Sequence, residues 1–557
     1  MKKIVHGILT ILNKKEKAML YKLIFFDFII GILDVAFLGF LLLVVNFYTQ
    51  NKSLPHISFL PSALTAKNSI LLLAVFLILF CIKNWFGFIG IKIQHHFFYG
   101  VASRLSKRNI LNYLNGKYSE FIEVDSSVQI RKISYQPIEF SHHVLTNFQQ
   151  IISQAILIFF TTCAIIAYHP SLFLLLLLLL VPPVVVLAGF IRKKLKSVRA
   201  TLVTSGEKNI QRLQESLSGY VESNIYDKND VFVNRYFNYQ QQLNNNIATL
   251  QTLESLPPRL IEVFAILGFF ILVLINMWST QRPAIDILTI GIFLAAAYKI
   301  IPGIVKILNS AGQIKTYRFT IDNLQSAGTI TGPLPAKAAE TIRSVKFEEV
   351  SFKYNGQEVL SDINFELNPG DFAALTGSSG KGKTTILNLL LGNLTPDKGY
   401  ISINNQILNA AGLKGYWNKI SYVKQQSFFT GDSILKNITL TDERPDWQKL
   451  KEVIAFCGID GMLRLYPEGL DMAIKENGKN ISGGQRQRIM LARALYHDFD
   501  LLVIDEPFSE LDDGAETAIL LNLEQLAQQG KIILFITHNS AGLRFSNKII
   551  SLNEQFA

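Results

Sequence analysis

Charge is what this sequence has too little of. Asp, Glu, Lys and Arg make up 17% of its 557 residues, where ordinary globular domains carry about a quarter. Cysteine is almost missing: Cys81, Cys163 and Cys457 are widely separated. That spacing excludes a disulfide framework and a cysteine metal cluster, and it suits small core residues in a protein whose polar half lies in a reducing compartment. Low-complexity tracts and short-period repeats are lacking as well. A cleavable leader is not indicated. After Lys2 and Lys3, the residues Ile4, Ile8, Ile11 and Leu12 keep helical spacing, and "NKKEK" arrives before any small-residue cleavage site. The expectation is an interfacial helix leading into a first membrane span.

What is present is apolar. Hydrophobic residues amount to 49%, with 39 phenylalanines, which points to a membrane protein rather than a large soluble enzyme. Six stretches reach the roughly 20 residues that a helix needs to cross a bilayer. They are 21–47, 69–93, 149–168, 171–192, 259–278 and 285–309. The fourth, "SLFLLLLLLLVPPVVVLAGFI", carries no charge, and its Pro182-Pro183 pair is tolerable where neighbouring helices satisfy the backbone.

A net charge of +11 would suit nucleic acid, but much of it flanks the apolar stretches and sets orientation instead, so no nucleic-acid partner is expected. The first 20 residues hold five Lys/Arg, 94–148 six and 193–258 eight, whereas 49–68 holds two and 279–284 one. The N-terminus, both long connections and everything after the sixth span are therefore expected in the cytoplasm, in a multi-pass protein of the inner (plasma) membrane. Those connections exceed ordinary loops and read as helices, so the spans should extend beyond the lipid. The segment "LPHISFLPSAL" reads as an external loop. The domain plan is a transmembrane domain over 1–325, a Gly/Pro/Ala-rich linker over 326–340, and an α/β domain over 341–557 where strands alternate with helices.

Within the α/β domain, "LTGSSGKGKTTILNLL" places Gly377, Gly382, Lys383 and Thr384 in the spacing G-x-x-x-x-G-K-[ST], between a strand pattern and a helix pattern. Glycines let backbone N–H groups close around phosphates at a helix N-terminus. Lys383 suits the β/γ-phosphates and Thr384 suits Mg²⁺. At 122 residues beyond Lys383, the apolar strand "LLVIDEP" ends in Asp505 and Glu506. Asp505 suits Mg²⁺, and Glu506 suits polarising an attacking water. Between them "NISGGQRQR" sets Ser482, Gly483 and Gly484 before a helix beginning near Gln485, a second helix N-terminus able to donate to phosphate.

These motifs together resemble the ATP-binding cassette (ABC) exporter half-transporters, and the resemblance covers essentially the whole chain. It implies an all-α domain of six spans of the type I exporter kind, with long cytoplasmic extensions, followed by an α/β P-loop nucleotide-binding domain. It implies ATP and Mg²⁺ as cofactors, and a dimer in which the S-G-G-Q signature of one subunit completes the ATP site of the other. A homodimer is expected first. By the same resemblance, the nucleotide would be held by Tyr354, Gly377, Ser378, Ser379, Gly380, Lys381, Gly382, Lys383, Thr384 and Thr385. Ser482, Gly483, Gly484, Gln485 and Asp512 of "SELD" would complete the site. Glu506, His538 and Gln425 are the expected catalytic residues; Thr384, Gln425 and Asp505 are the expected metal ligands. Glu476 resembles an acidic contact to the cytoplasmic helices, for which 125–137 and 225–236 are candidates. Lys381, Lys424 and Ile481 depart from the family pattern without removing a catalytic group.

The cargo is less constrained. Asp27, Asp34, Lys83, Lys92, Lys299 and Lys306 fall inside apolar stretches, where charge is costly and marks function or pairing. Asp27 and Asp34 are seven apart, on one helix face, which suits pairing with Lys83. Lys299 and Lys306 share the same spacing and would present ammonium groups to an anionic headgroup. "NKKEKAMLYKL", "LPPRLIEVFA" and "YKIIPGIVKILNSAGQ" resemble bacterial lipid-linked oligosaccharide flippases. The expected function is an ATP-driven exporter or flippase of an amphipathic substrate by alternating access, with drug, lipid or peptide export as the alternative. No peptidase segment precedes the spans, which disfavours a leader-cleaving peptide exporter. A membrane-anchored ATPase that regulates a partner without moving cargo is the reading from another class.

Overall fold

The computed structural model describes residues 2–49, 70–116, 118–168, 201–278, 287–326 and 340–552, except 355, 379, 507, 509, 538 and 539, together with 186, 189, 190, 193 and 198. It divides into two compact units: residues 1–116 with 122–331, and residues 117–121 with 332–557. The first unit is helical. Helix α1 (Lys2–Ile11) is followed by α2 (Lys14–Thr49), α3 (Leu71–Leu114), α4 (Thr146–Tyr168), α5 (Asn229–Trp278), α6 (Ile287–Thr316) and α7 (Arg318–Ser326).

Among the described residues, three helical runs are long and apolar enough to cross a membrane: Lys14–Leu41, Leu71–Leu114 and Ser126–Ala167. They coincide with the first three expected spans. The fifth expected span falls inside α5, and the sixth lies in α6 from residue 287 onward. The fourth, with Pro182-Pro183, lies almost wholly outside the described residues, as does 49–68. Large apolar side chains stand outward on α3, Leu77 at 60% and Trp85 at 65% exposure, the pattern of a helix whose solvent is lipid. Helix α1 differs from its expected interfacial role. Its apolar stripe of Ile4, Ile8 and Ile11 is buried in one cluster with Ile321 and Leu324 of α7, so protein rather than lipid covers it. The run leading into α4 contains two π-helical turns, Arg131–Tyr135 and Phe140–Leu145.

The second unit has two sheets. Strands β3 (Phe372–Thr376), β6 (Ile420–Val423), β7 (Leu501–Asp505), β8 (Ile532–Ile536) and β9 (Lys548–Ser551) form a parallel sheet in the order β6-β7-β8-β3-β9. "LLVID" and "IILFI" are buried at every position, as parallel strands covered on both faces must be. An antiparallel sheet ordered β2-β1-β4-β5 comprises β1 (Val345–Tyr354), β2 (Gln357–Leu367), β4 (Lys398–Ile403) and β5 (Gln406–Leu408). Alternating strands and helices at 341–557 therefore describe only part of the domain; hairpins supply the rest.

Candidate nucleotide site and the charges of the helical unit

Register decides where the site forms. Leu375 of β3 and Asp505 of β7 both pair with Ile536 of β8. The phosphate loop after β3, the acids ending β7 and the segment after β8 therefore leave the sheet side by side, at the carboxyl edge where α/β folds bind ligands. Helix α8 (Lys383–Leu390) starts at Gly382, whose φ is +86°. A Cβ there would stand 2.6 Å from Leu360 Cδ2, so conformation and space both demand glycine.

Lys383 is buried, and its Nζ donates to the carbonyls of Gly377 (2.7 Å) and Ser378 (3.3 Å). Burial holds its pKa below the usual lysine range, with Glu506 and Asp505 opposing. Thr384 is exposed in the first turn of α8. A loop that turns a buried ammonium onto its own carbonyls, under a helix N-terminus, fits a polyphosphate. Lys381 donates its N–H to Ser378 O at 3.3 Å, closing the turn.

Asp505 is 5% exposed. Burial first and Glu506 second push its carboxyl up to about 6, while Lys383 and Lys424 oppose them. Two neighbouring acids facing a lysine form a donor set suited to a hard divalent cation. Glu506 has φ +49°, a left-handed conformation that is strained for a residue with a side chain. Its Oε2 accepts from Gln425 Nε2 at 2.7 Å. Tyr354 ends β1 and hydrogen-bonds the hydroxyl of Thr385, placing its ring beside α8.

The signature residues sit elsewhere in the unit. Ser482 caps α9 (Gly483–Tyr496) and forms a reciprocal capping box with Gln485, satisfying two orphan donors of the helix start. Gly483 and Gly484 pack on Glu510. Asp512 caps α10 (Asp513–Gln528), its Oδ1 accepting from Ala515 N at 2.9 Å. Ser379 and His538 lie outside the described residues, and Glu476 is described by its backbone alone. The motif reading missed Glu510, Arg486 and the Asn437–Arg493 cluster; no spacing signal marks them.

Residues 360–509 match the family model of ABC transporters. That segment is an ABC transporter domain. The chain is 26% identical over 377 residues to an ATP-dependent lipid A-core flippase of Burkholderia pseudomallei, an alignment covering 66% of this chain and 62% of that protein. It is 26% identical over 384 residues to a probable multidrug resistance ABC transporter ATP-binding/permease protein of Bacillus subtilis, covering 66% and 54%. A bacterial Atm1-family ABC exporter with ATP bound has the same fold, with a TM-score of 0.78 at 16% identity over 97% of this chain and 93% of that one. The chain thus joins a helical unit to a unit that carries an ABC transporter domain.

In the helical unit, three charges of the apolar stretches, Asp34, Lys83 and Lys299, come together. Asp34 of α2 forms an ion pair with Lys83 of α3 and stands 3.6 Å from Lys299 Nζ of α6. Lys83 also faces the Phe80 ring at 5.2 Å. The Asp34–Lys83 pairing expected from spacing is present. Asp27 has a different partner, accepting from Gln149 Nε2 of α4 at 2.7 Å. Lys299, expected to be free for cargo, shares Asp34. Lys306 is exposed.

Proposed function

We propose that the chain is a six-span half-transporter that pairs with a second copy of itself, hydrolyses ATP with Mg²⁺, and exports an amphipathic substrate by alternating access. The observation that carries this reading is the Glu506 carboxylate. It is held by Gln425, next to Asp505 and Lys383, in a domain fused to helices long enough to cross a membrane. Bound nucleotide would supply a γ-phosphoryl group open to attack by water, with Mg²⁺ neutralising its charge. Lys383 and the loop N–H groups would hold the phosphates, Thr384, Asp505 and Gln425 would hold the cation, and Glu506 would take the proton of the attacking water. Gln425 restrains Glu506 until then. The γ-phosphate would fall to His538 and the adenine to Tyr354, the roles the resemblance implies.

A partner chain is supported by apolar side chains left uncovered at the cytoplasmic segment around the helix Tyr220–Ile225. Leu217, Tyr220, Ile225 and Tyr226 are 68–71% exposed, more than a lone soluble surface would leave together. The second copy also supplies Ser482, Gly483, Gly484 and Gln485 to the nucleotide, and closure of the pair turns the membrane cavity outward. The N-terminus and nucleotide-binding domain face the cytoplasm of an inner-membrane protein. For cargo, the names of the relatives favour a lipid, and a lipid-linked oligosaccharide is the finer reading. One Asp34 between two lysines leaves a net positive charge beside exposed Lys306, which suits an anionic headgroup.

The test is transport by the purified chain in liposomes, with ATPase stimulation compared across lipid-linked sugars, lipid A-like lipids, drugs and peptides. Translocation should be ATP-dependent and abolished by Glu506→Gln. Transport that survives while hydrolysis is lost would sink coupled export. ATPase without any translocated substrate would favour a regulator of a partner.

A further inference from the structure

We propose that Glu510 is a resident anion on the signature helix, which the partner's nucleotide must displace before two subunits close. It would thereby set the ATP concentration at which the transporter engages. The inference rests on the two-chain ATP site argued above.

The Glu510 carboxylate lies directly on Gly483, the first residue of α9. A Cβ built there would stand 1.5 Å from Glu510 Oε2, and one on Gly484 would stand 3.0 Å from the Glu510 carbonyl oxygen. Oε2 accepts from Arg486 Nη2 at 3.1 Å, and the Glu510 N–H donates to Gln487 Oε1 at 3.1 Å. The capping box uses the backbone N–H groups of Ser482 and Gln485. The positive end of α9 and the Arg486 guanidinium both offer favourable potential to an anion, and one carboxylate answers both.

That carboxylate is half exposed, at 48%, so its side chain can swing off the glycines without disturbing the core. A triphosphate brought to Ser482 and Gly483 by a partner would meet like charge until it does. When Glu510 leaves, Arg486 loses its ion-pair partner and gains freedom to face the incoming phosphate. Glu510 is a positioning residue in this account: it touches neither water nor nucleotide in the turnover step, and acts through the helix end and Arg486.

The experiment uses the full chain in lipid nanodiscs. Half-saturating ATP is measured for wild type, Glu510→Gln and Glu510→Asp, and nucleotide-driven closure is measured by a distance probe in the Glu506→Gln background. Glu510→Gln should lower half-saturating ATP by about threefold or more with kcat little changed, since one repelling charge is removed. Glu510→Asp should stay near wild type. The gap between Gln and wild type should narrow from about 0.1 M to about 1 M salt, as the screening length falls from about 10 Å to about 3 Å. An unchanged or raised half-saturation in Glu510→Gln, or a gap indifferent to salt, overturns the proposal. Wild type that neither hydrolyses ATP nor closes would instead overturn the two-chain reading beneath it.

Discussion

Asp34 stands between two lysines from different helices, ion-paired with Lys83 of α3 and 3.6 Å from Lys299 of α6. One carboxylate thereby ties α2, α3 and α6 together at membrane depth, where separating charges is expensive. Removing it leaves two like charges facing each other. Asp34→Ala should cost about 3–5 kcal/mol, the usual penalty for orphaning a buried ion-pair partner, and lower the melting temperature in nanodiscs. Adding Lys83→Met to Asp34→Ala should recover a good part of the loss. A single variant that melts with wild type would show that the pair holds nothing together.

Gln425 and Glu506 make a second coupling. With the Glu506 carboxylate acting as general base, Glu506→Gln should lower ATP turnover by about 10²–10⁴-fold while nucleotide binding persists. Gln425→Ala frees Glu506 without removing it, so turnover should fall less and half-saturating Mg²⁺ should rise. Equal losses in both variants would mean that Gln425 does more than restrain the base and hold the cation.

The phosphate loop, Asp505, Glu506 and the signature were legible because their chemistry needs fixed residue types at fixed local spacing. Lys383 and Asp505 lie far apart in sequence, yet each announces itself locally, Lys383 by the glycine loop between a strand and a helix and Asp505 by the apolar strand it ends. The Asp34–Lys83 pair was legible through the high cost of intramembrane charge. Lys299 was not, because helix periodicity says which face a residue occupies but not which carboxylate that face meets. The antiparallel sheet was blurred by bulges and register shifts in β1, which break the period-2 alternation that marks a strand. Helix α1 was amphipathic by sequence, and nothing in that pattern distinguishes lipid from α7 as its cover.

Asn437 tests a part of the fold that no motif names. It is fully buried, with Oδ1 accepting from Thr430 N at 3.0 Å and Nδ2 donating to the carbonyls of Thr430, Asp432 and Ser433. Arg493 of α9 donates to the Asn437 carbonyl at 2.7 Å and to Phe428 O at 2.9 Å. The segment after Gln425 is thus pinned to the signature helix through two side chains. Asn437→Ala strands several buried polar groups, each worth about 1–3 kcal/mol when unsatisfied. The nucleotide-binding unit should therefore unfold at clearly lower denaturant, with ATPase reduced. A midpoint matching wild type would mean the hydrogen bonds are replaced locally.

Asp505 makes the stability of the nucleotide-free protein depend on pH. Burial, with Glu506 adjacent, raises its carboxyl to about 6 from an unfolded value of 3.8. Between those values the folded chain holds a proton that the unfolded chain has released, so this group lowers stability as pH rises from about 4 to about 6. Above that window the penalty is complete. Asp505→Asn removes the charge and should raise the melting temperature at pH 7.5 by about 6–12 °C, since about two pKa units amount to about 3 kcal/mol and each kcal/mol shifts a unit of this size by about 2–4 °C. The difference should shrink as pH falls through the window and disappear near its lower end. Mg²⁺ with ATP should reverse the ranking, because the cation compensates the carboxylate and finds a poorer ligand in the amide. Thermal unfolding of both proteins across pH, with and without Mg–ATP, checks each part. A pH-independent difference without nucleotide would place its cause somewhere other than the buried charge of Asp505.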